Sequence, residues 1–165
     1  MARKVFYSFH YQPDNWRASQ VRNIGVIEGN QPASDHDWET VEHGGDVSIQ
    51  RWIDNQLSGR TCTIVLIGAQ TAGRKWVNYE IEKSWNDRKG LVGIYIHGLK
   101  DRNSQTAHKG NNPFDGFTIN KGQSQLSAVV KTYEPSGWDS TQVYAAISKN
   151  IAAWVEEAVA IRQNY

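Results

Sequence analysis

The chain has 165 residues, enough for one domain around one core. It is 39% hydrophobic and 21% charged, an ordinary balance for a water-facing globular protein. A net charge of +1 implies no strongly basic face and argues against a nucleic-acid partner, and the single cysteine excludes an internal disulfide.

The first strand spans about Arg3 to Phe9, in the aromatic and β-branched run RKVFYSF. HYQPDN reads as a loop in which Asp14 or Asn15 caps a helix starting near Trp16. Residues Gly25 to Gly45 are rich in Gly, Asn, Pro, Ser and Asp, which favours loop with one short edge strand. GGDVSIQRWIDNQLSGR is a helix, capped by Asp46 or Ser48, apolar along Val47, Ile49, Trp52, Ile53 and Leu57, and ended by Gly59. TCTIVLIG, Thr61 to Gly68, is continuously apolar, as a central parallel strand buried on both faces would be, and Cys62 in it is a small buried hydrophobe.

KWVNYEIEKSWNDRKG is the next helix, stopped by Gly90, and LVGIYIHGL is another strand. Residues 100–125 are polar and too long for a simple connection, so this excursion covers either a site or a partner surface. LSAVVKTYE reads as the last strand, and residues 140–162 carry the spacing of a long helix that packs on the sheet. Strands alternating with helices predict a single three-layer α/β domain over 1–165 with a mainly parallel central sheet. MARKVFYSFHY has no apolar core of a signal peptide, and no run approaches a membrane span; a cytoplasmic protein without membrane contact is expected.

Open α/β sheets bind ligands beyond the carboxyl ends of their strands. Four segments should meet there: Ser8 to Asp14, part of Asp35 to Asp46, Gly68 to Lys75, and His97 to Asp101. Ser8, Phe9, His10 and Tyr11 could stack a base or hold ribose hydroxyls; alternatively Phe9 and Tyr11 pack against the neighbouring loop. On the helix after Arg74, Val77, Ile81 and Ser84/Trp85 face the core, and Glu80 and Glu82 flank that stripe on opposite sides. Glu80 lies four residues after Trp76, whereas Glu82 shares its flank with Asn78 and Asn86. Periodicity leaves two readings of Glu80, chemistry at a cleft or a surface salt bridge with Lys83 or Arg88. No phosphate-cradling glycine loop, serine-nucleophile elbow or zinc-spaced histidine set is present, so neither a metal nor a bound cofactor is expected. The polar loop around His36 and His43 yields no reading.

In this order, VFYSFHY, GGDVSIQRWIDNQL leading into TCTIVLIG, and KWVNYEI resemble a TIR domain. Phe6, Ser8 and Phe9 match the Phe-x-Ser-Phe ending of the first strand, and Trp76, Glu80 and Ile81 match the Trp-x-x-x-Glu-Ile pattern of NAD-consuming TIR enzymes. With Val21 to Asn23, these segments resemble more narrowly the TIR-like proteins of bacterial Thoeris antiphage systems, over about the first hundred residues. The chain departs from the pattern at Gly68, where many TIR domains keep serine, and at Gly44-Gly45, which replace a Pro-Gly.

The resemblance implies a flavodoxin-like TIR fold, NAD as substrate and Glu80 as the catalytic residue. It implies cleavage of the nicotinamide–ribose bond and formation of a cyclic ADP-ribose isomer that activates a separate NAD-degrading effector. Ser8, Phe9, His10, Tyr11 and Trp76 would then contact substrate, and self-association is expected. A non-catalytic TIR-like interaction scaffold and a glycosyl transfer enzyme of the nucleoside deoxyribosyltransferase kind are the other readings.

Overall fold

The computed structural model describes residues 3–25, 27–29 and 43–165. The central sheet contains β1 (Lys4–Ser8), β2 (Glu28–Gly29), β3 (Cys62–Ile67), β4 (Gly90–Tyr95) and β7 (Thr132–Tyr133), all parallel, in the order β2-β1-β3-β4-β7. β5 (Thr118–Ile119) and β6 (Ser124–Gln125) form a separate antiparallel pair. The helices are α1 (Tyr11–Arg22), α2 (Gly45–Leu57), α3 (Lys75–Asn86) and α4 (Ser140–Gln163). The α/β expectation is met, and the strand order is that of flavodoxin-like sheets.

β3 and β4 are buried throughout, as their unbroken apolar runs require. Strand alternation splits the core in two. Val5, Tyr7, Ile64, Leu66, Val92 and Ile94 meet α1 and α4 on one face. On the other, Phe6 packs with Ile49, Ile53 and Leu57 of α2, and Val65, Ile67 and Leu91 pack with Val77 and Ile81 of α3. Thr63 and Ser84, both fully buried, share a 2.6 Å hydrogen bond that joins β3 to α3.

Several boundaries differ from the sequence expectations. α1 begins at Tyr11, with His10 in the cap position, and neither Asp14 nor Asn15 caps it. Asp14 turns inward to accept a 3.0 Å bond from Arg17, and Pro13 is tolerated because first-turn amides have no helical acceptor. Gly44 occupies the cap of α2 without a side-chain bond; Asp46 instead pairs with Lys75, Ser48 makes no cap bond, and Val47 is exposed rather than part of the apolar face. α3 ends at Asn86, before Gly90, because Arg88 adopts a positive φ of 62°. Gly90 opens β4, where a side chain would run into the backbone of α4 at Val159. The expected last strand shrinks to Thr132–Tyr133, and Leu126–Ala128 is a short 3-10 turn.

The 100–125 excursion forms part of the second core layer. Phe114, Ile119 and Leu126 are buried against Val65, Ile67 and Tyr95, covering sheet face beside α3. The edge strand expected between Gly25 and Gly45 is β2; the rest of that stretch, with Asp35, His36, Asp37 and Glu39, lies outside the described residues. Among the described residues, no helix is long and apolar enough to cross a membrane.

Candidate active site

The order β2-β1-β3 reverses chain direction across the sheet between β1 and β3. β1 leads into α1 on one face, whereas β3 leads into α3 on the other, so their carboxyl ends part and leave a crevice, the usual ligand position in such sheets. Ser8, the last residue of β1, and Glu80 of α3 face each other there.

Glu80 is buried, with 8% of its surface exposed. Among the described residues it forms no ion pair: Lys83 pairs with Asp87 at 3.1 Å, so the salt-bridge reading is set aside. Burial in an apolar wall penalises the carboxylate and pushes its pKa up to about 8. The Ser8 hydroxyl acts in the opposite direction. It does not close a hydrogen bond within normal limits, so Ser8 Oγ and Glu80 Oε2 are both buried and unpartnered. Two buried polar atoms left unsatisfied side by side are uncommon and mark a place where a ligand can supply the missing bonds. Glu82, two residues on, is exposed.

His10 follows Ser8 by two residues, and Trp76 precedes Glu80 by one helical turn. Arg74, immediately before α3, donates to His10 Nε2. A guanidinium only donates, so Nε2 accepts and the proton of neutral His10 resides on Nδ1, which is buried without a partner. Burial, followed by the Arg74 charge, lowers the His10 pKa and favours that neutral form. Trp76 is half-buried against the α2 cluster of Ile49 and Ile53, edge-on to Tyr79, with the Lys75 ammonium 4.9 Å from its ring centre. Tyr79 donates to Asp54 at 2.8 Å, which fastens α3 to α2.

Phe9 goes elsewhere. It leans into the α1–α4 core and stacks with Tyr11 at 6.2 Å. Strand alternation therefore groups Ser8 with Glu80 and directs Phe9 to the opposite face, where it packs on the core rather than against the neighbouring loop.

The floor of the crevice is fixed by residues that periodicity did not single out. Arg17 is buried and donates to Leu99 O at 2.8 Å, Gln105 O at 2.9 Å and Asp14 Oδ1, binding α1 to the segment after β4. Asp14 is buried against Gly68, and a Cβ at position 68 would collide with its carboxylate. That contact gives a physical reason for glycine at the end of β3. Thr71, fully buried, accepts from Gly68 N at 2.8 Å and closes the turn toward α3. Sequence signals for these roles were weak: Asp14 resembled a cap, and Arg17 looked like one more basic residue on a polar helix.

Residues 6–101 match the family described as Thoeris protein ThsB, TIR-like domain, a span that includes Ser8 and all of α3. A Bacillus cereus (strain MSX-D12) protein named "Putative cyclic ADP-D-ribose synthase ThsB1" is 39% identical over 133 residues, covering 76% of this chain and 69% of its own. The chain therefore belongs to the Thoeris ThsB TIR-like family.

Proposed function

We propose that the protein cleaves the nicotinamide–ribose bond of NAD and cyclises the ADP-ribose moiety to a cyclic ADP-ribose isomer. That product would act as a diffusible signal to a separate NAD-degrading effector in antiphage defence. The observation that carries the reading is the buried, unpartnered Glu80 carboxyl opposite Ser8 at the switch point of the sheet. Family membership and the name of the Bacillus cereus relative support the substrate and product class.

One carboxylate suffices for this chemistry. Ordinary glycosidases need a second carboxyl group to protonate the leaving oxygen. Nicotinamide leaves as a neutral molecule, because the electrons of the broken C–N bond quench its pyridinium charge. The ribose then bears oxocarbenium character, which ionised Glu80 stabilises while binding ribose hydroxyls. Glu80 is largely protonated in the free protein at neutral pH, with its pKa at about 8. The cationic nicotinamide riboside favours its ionised form, so substrate completes the charge balance of the site. The Ser8 hydroxyl is placed to orient the carboxylate. Attack by the adenosine half of the same molecule gives the cyclic product; attack by water gives linear ADP-ribose. Crevice walls that exclude water and hold the folded-back substrate favour the first outcome, with Trp76 at the rim as the aromatic surface.

The test is incubation with NAD, including in lysate of phage-infected cells, with products separated by mass and retention. A species one water lighter than ADP-ribose is expected; linear ADP-ribose alone would reduce the protein to a hydrolase. Glu80→Gln should lower turnover by about 100-fold or more, while Glu82→Gln leaves it largely intact. Equal losses in two folded variants would remove Glu80 from its role.

A further inference from the structure

Arg74 differs from its basic neighbours in its partner. Lys75 is matched by Asp46, and Arg17 by Asp14 and Asp101. The bond made by Arg74 goes to the neutral ring of His10, and no carboxylate pairs with it among the described residues. Among the described residues the positive charge of the pair is thus uncompensated. The pair also offers donors in excess: the remaining guanidinium N–H groups and the buried, unpartnered His10 Nδ1–H. The adjoining start of α3 adds more, having neither a side-chain cap nor an acidic residue in its first turn. Ser8 and Glu80, both more than nine-tenths buried, leave Oγ and Oε2 without partners. Arg74 precedes α3 and Glu80 lies six residues further along, about 9 Å down the helix axis, so the charge and the reacting carboxyl stand apart. A dinucleotide has that layout, with its anionic bridge several bonds from the nicotinamide–ribose bond.

We propose that Arg74, held by His10 at the start of α3, is the contact for the diphosphate bridge of the substrate. The assignment rests on the NAD reading and deepens it by naming a binding residue that acts on the charged, non-reacting half of the molecule. The guanidinium suits two phosphate oxygens at once, which the rounder ammonium of lysine does not. His10 then serves as a neutral acceptor that orients the fork without cancelling its charge.

Titration calorimetry on the full chain with ADP-ribose, ADP and nicotinamide riboside tests this, alongside NAD turnover. Arg74→Ala should weaken ADP-ribose and ADP by about 10- to 100-fold and leave nicotinamide riboside, which has no phosphate, within about two-fold. Its affinity for ADP should also depend less on salt than that of the unmodified protein. Arg74→Lys should restore part of the loss. Equal weakening of all three ligands would mark Arg74 as structural and overturn the assignment. So would unchanged ADP-ribose affinity in a variant that still turns over NAD, with the reaction itself left standing. If ADP binds through Arg74 but NAD is never consumed, the subsite stands and the reaction reading falls.

Discussion

Glu80 and Glu82 sit two positions apart on α3 and have opposite environments. Glu82 faces solvent, whereas Glu80 keeps its proton up to about pH 8 because burial penalises its charge. Two consequences follow at this scale. In the free enzyme the active form is ionised, so kcat/KM should rise with pH and level off above about 8. Ser8 opposes the raised pKa, so Ser8→Ala should move that limb to still higher pH, as a pH–rate profile would record. The second consequence concerns stability. The folded pKa is raised above the ordinary 4.5, so between those two values the folded protein holds a proton that the unfolded chain has lost. Stability therefore falls as pH rises through this window. Glu80→Gln removes the penalty and should gain on the order of 3 kcal/mol at pH 7, read from urea melts, while activity is lost. A variant destabilised at all pH values would contradict this account.

Among the elements, the turn between β3 and α3 decides where the carboxyl stands. It is fixed by Thr71 beneath Gly68 and by Asp14 pressed against the Gly68 backbone. The glycine is thus coupled to a residue on α1. Gly68→Ala should cost roughly 1–3 kcal/mol by overpacking, measured by chemical denaturation. In an Asp14→Ala background, where the obstructing carboxylate is gone, the same substitution should cost clearly less; additive losses would mean that the contact is not the cause. Much at this scale was legible in the chain. The runs TCTIVLIG and LVGIYIHGL announced buried strands, and the Val77–Ile81–Ser84 stripe oriented α3 correctly, because burial on a sheet leaves a one-dimensional pattern. Asp14 does not cap α1 because the helix already starts at Tyr11; inside the first turn its carboxylate takes Arg17, one turn on, and packs against distant Gly68, a contact that no local pattern encodes. The 100–125 excursion was equally opaque: its anchors Phe114 and Ile119 follow no period and acquire meaning only against Val65 and Ile67.

For the whole molecule, the parallel sheet brings Ser8 and Glu80, far apart in the chain, to one crevice at its switch point. Among the described residues its surface also carries two largely exposed tryptophans, Trp16 and Trp138. Self-association is expected of this family reading, and sedimentation velocity with and without NAD should show a species heavier than the 18.7 kDa monomer, with turnover per chain rising with protein concentration. A strictly monomeric, concentration-independent enzyme would remove assembly from the scheme. The sequence by itself determined the layer order, the parallel sheet and the preference for Glu80 over Glu82, since alternation and helical period are local and survive in one dimension. Only the tertiary structure decided that Glu80 is buried with no ion-pair partner among the described residues, that Phe9 turns to the opposite face from Ser8, and that Arg74 is held by a neutral histidine. Desolvation and pairing depend on what distant segments bring to the same point, and no spacing along the chain encodes that.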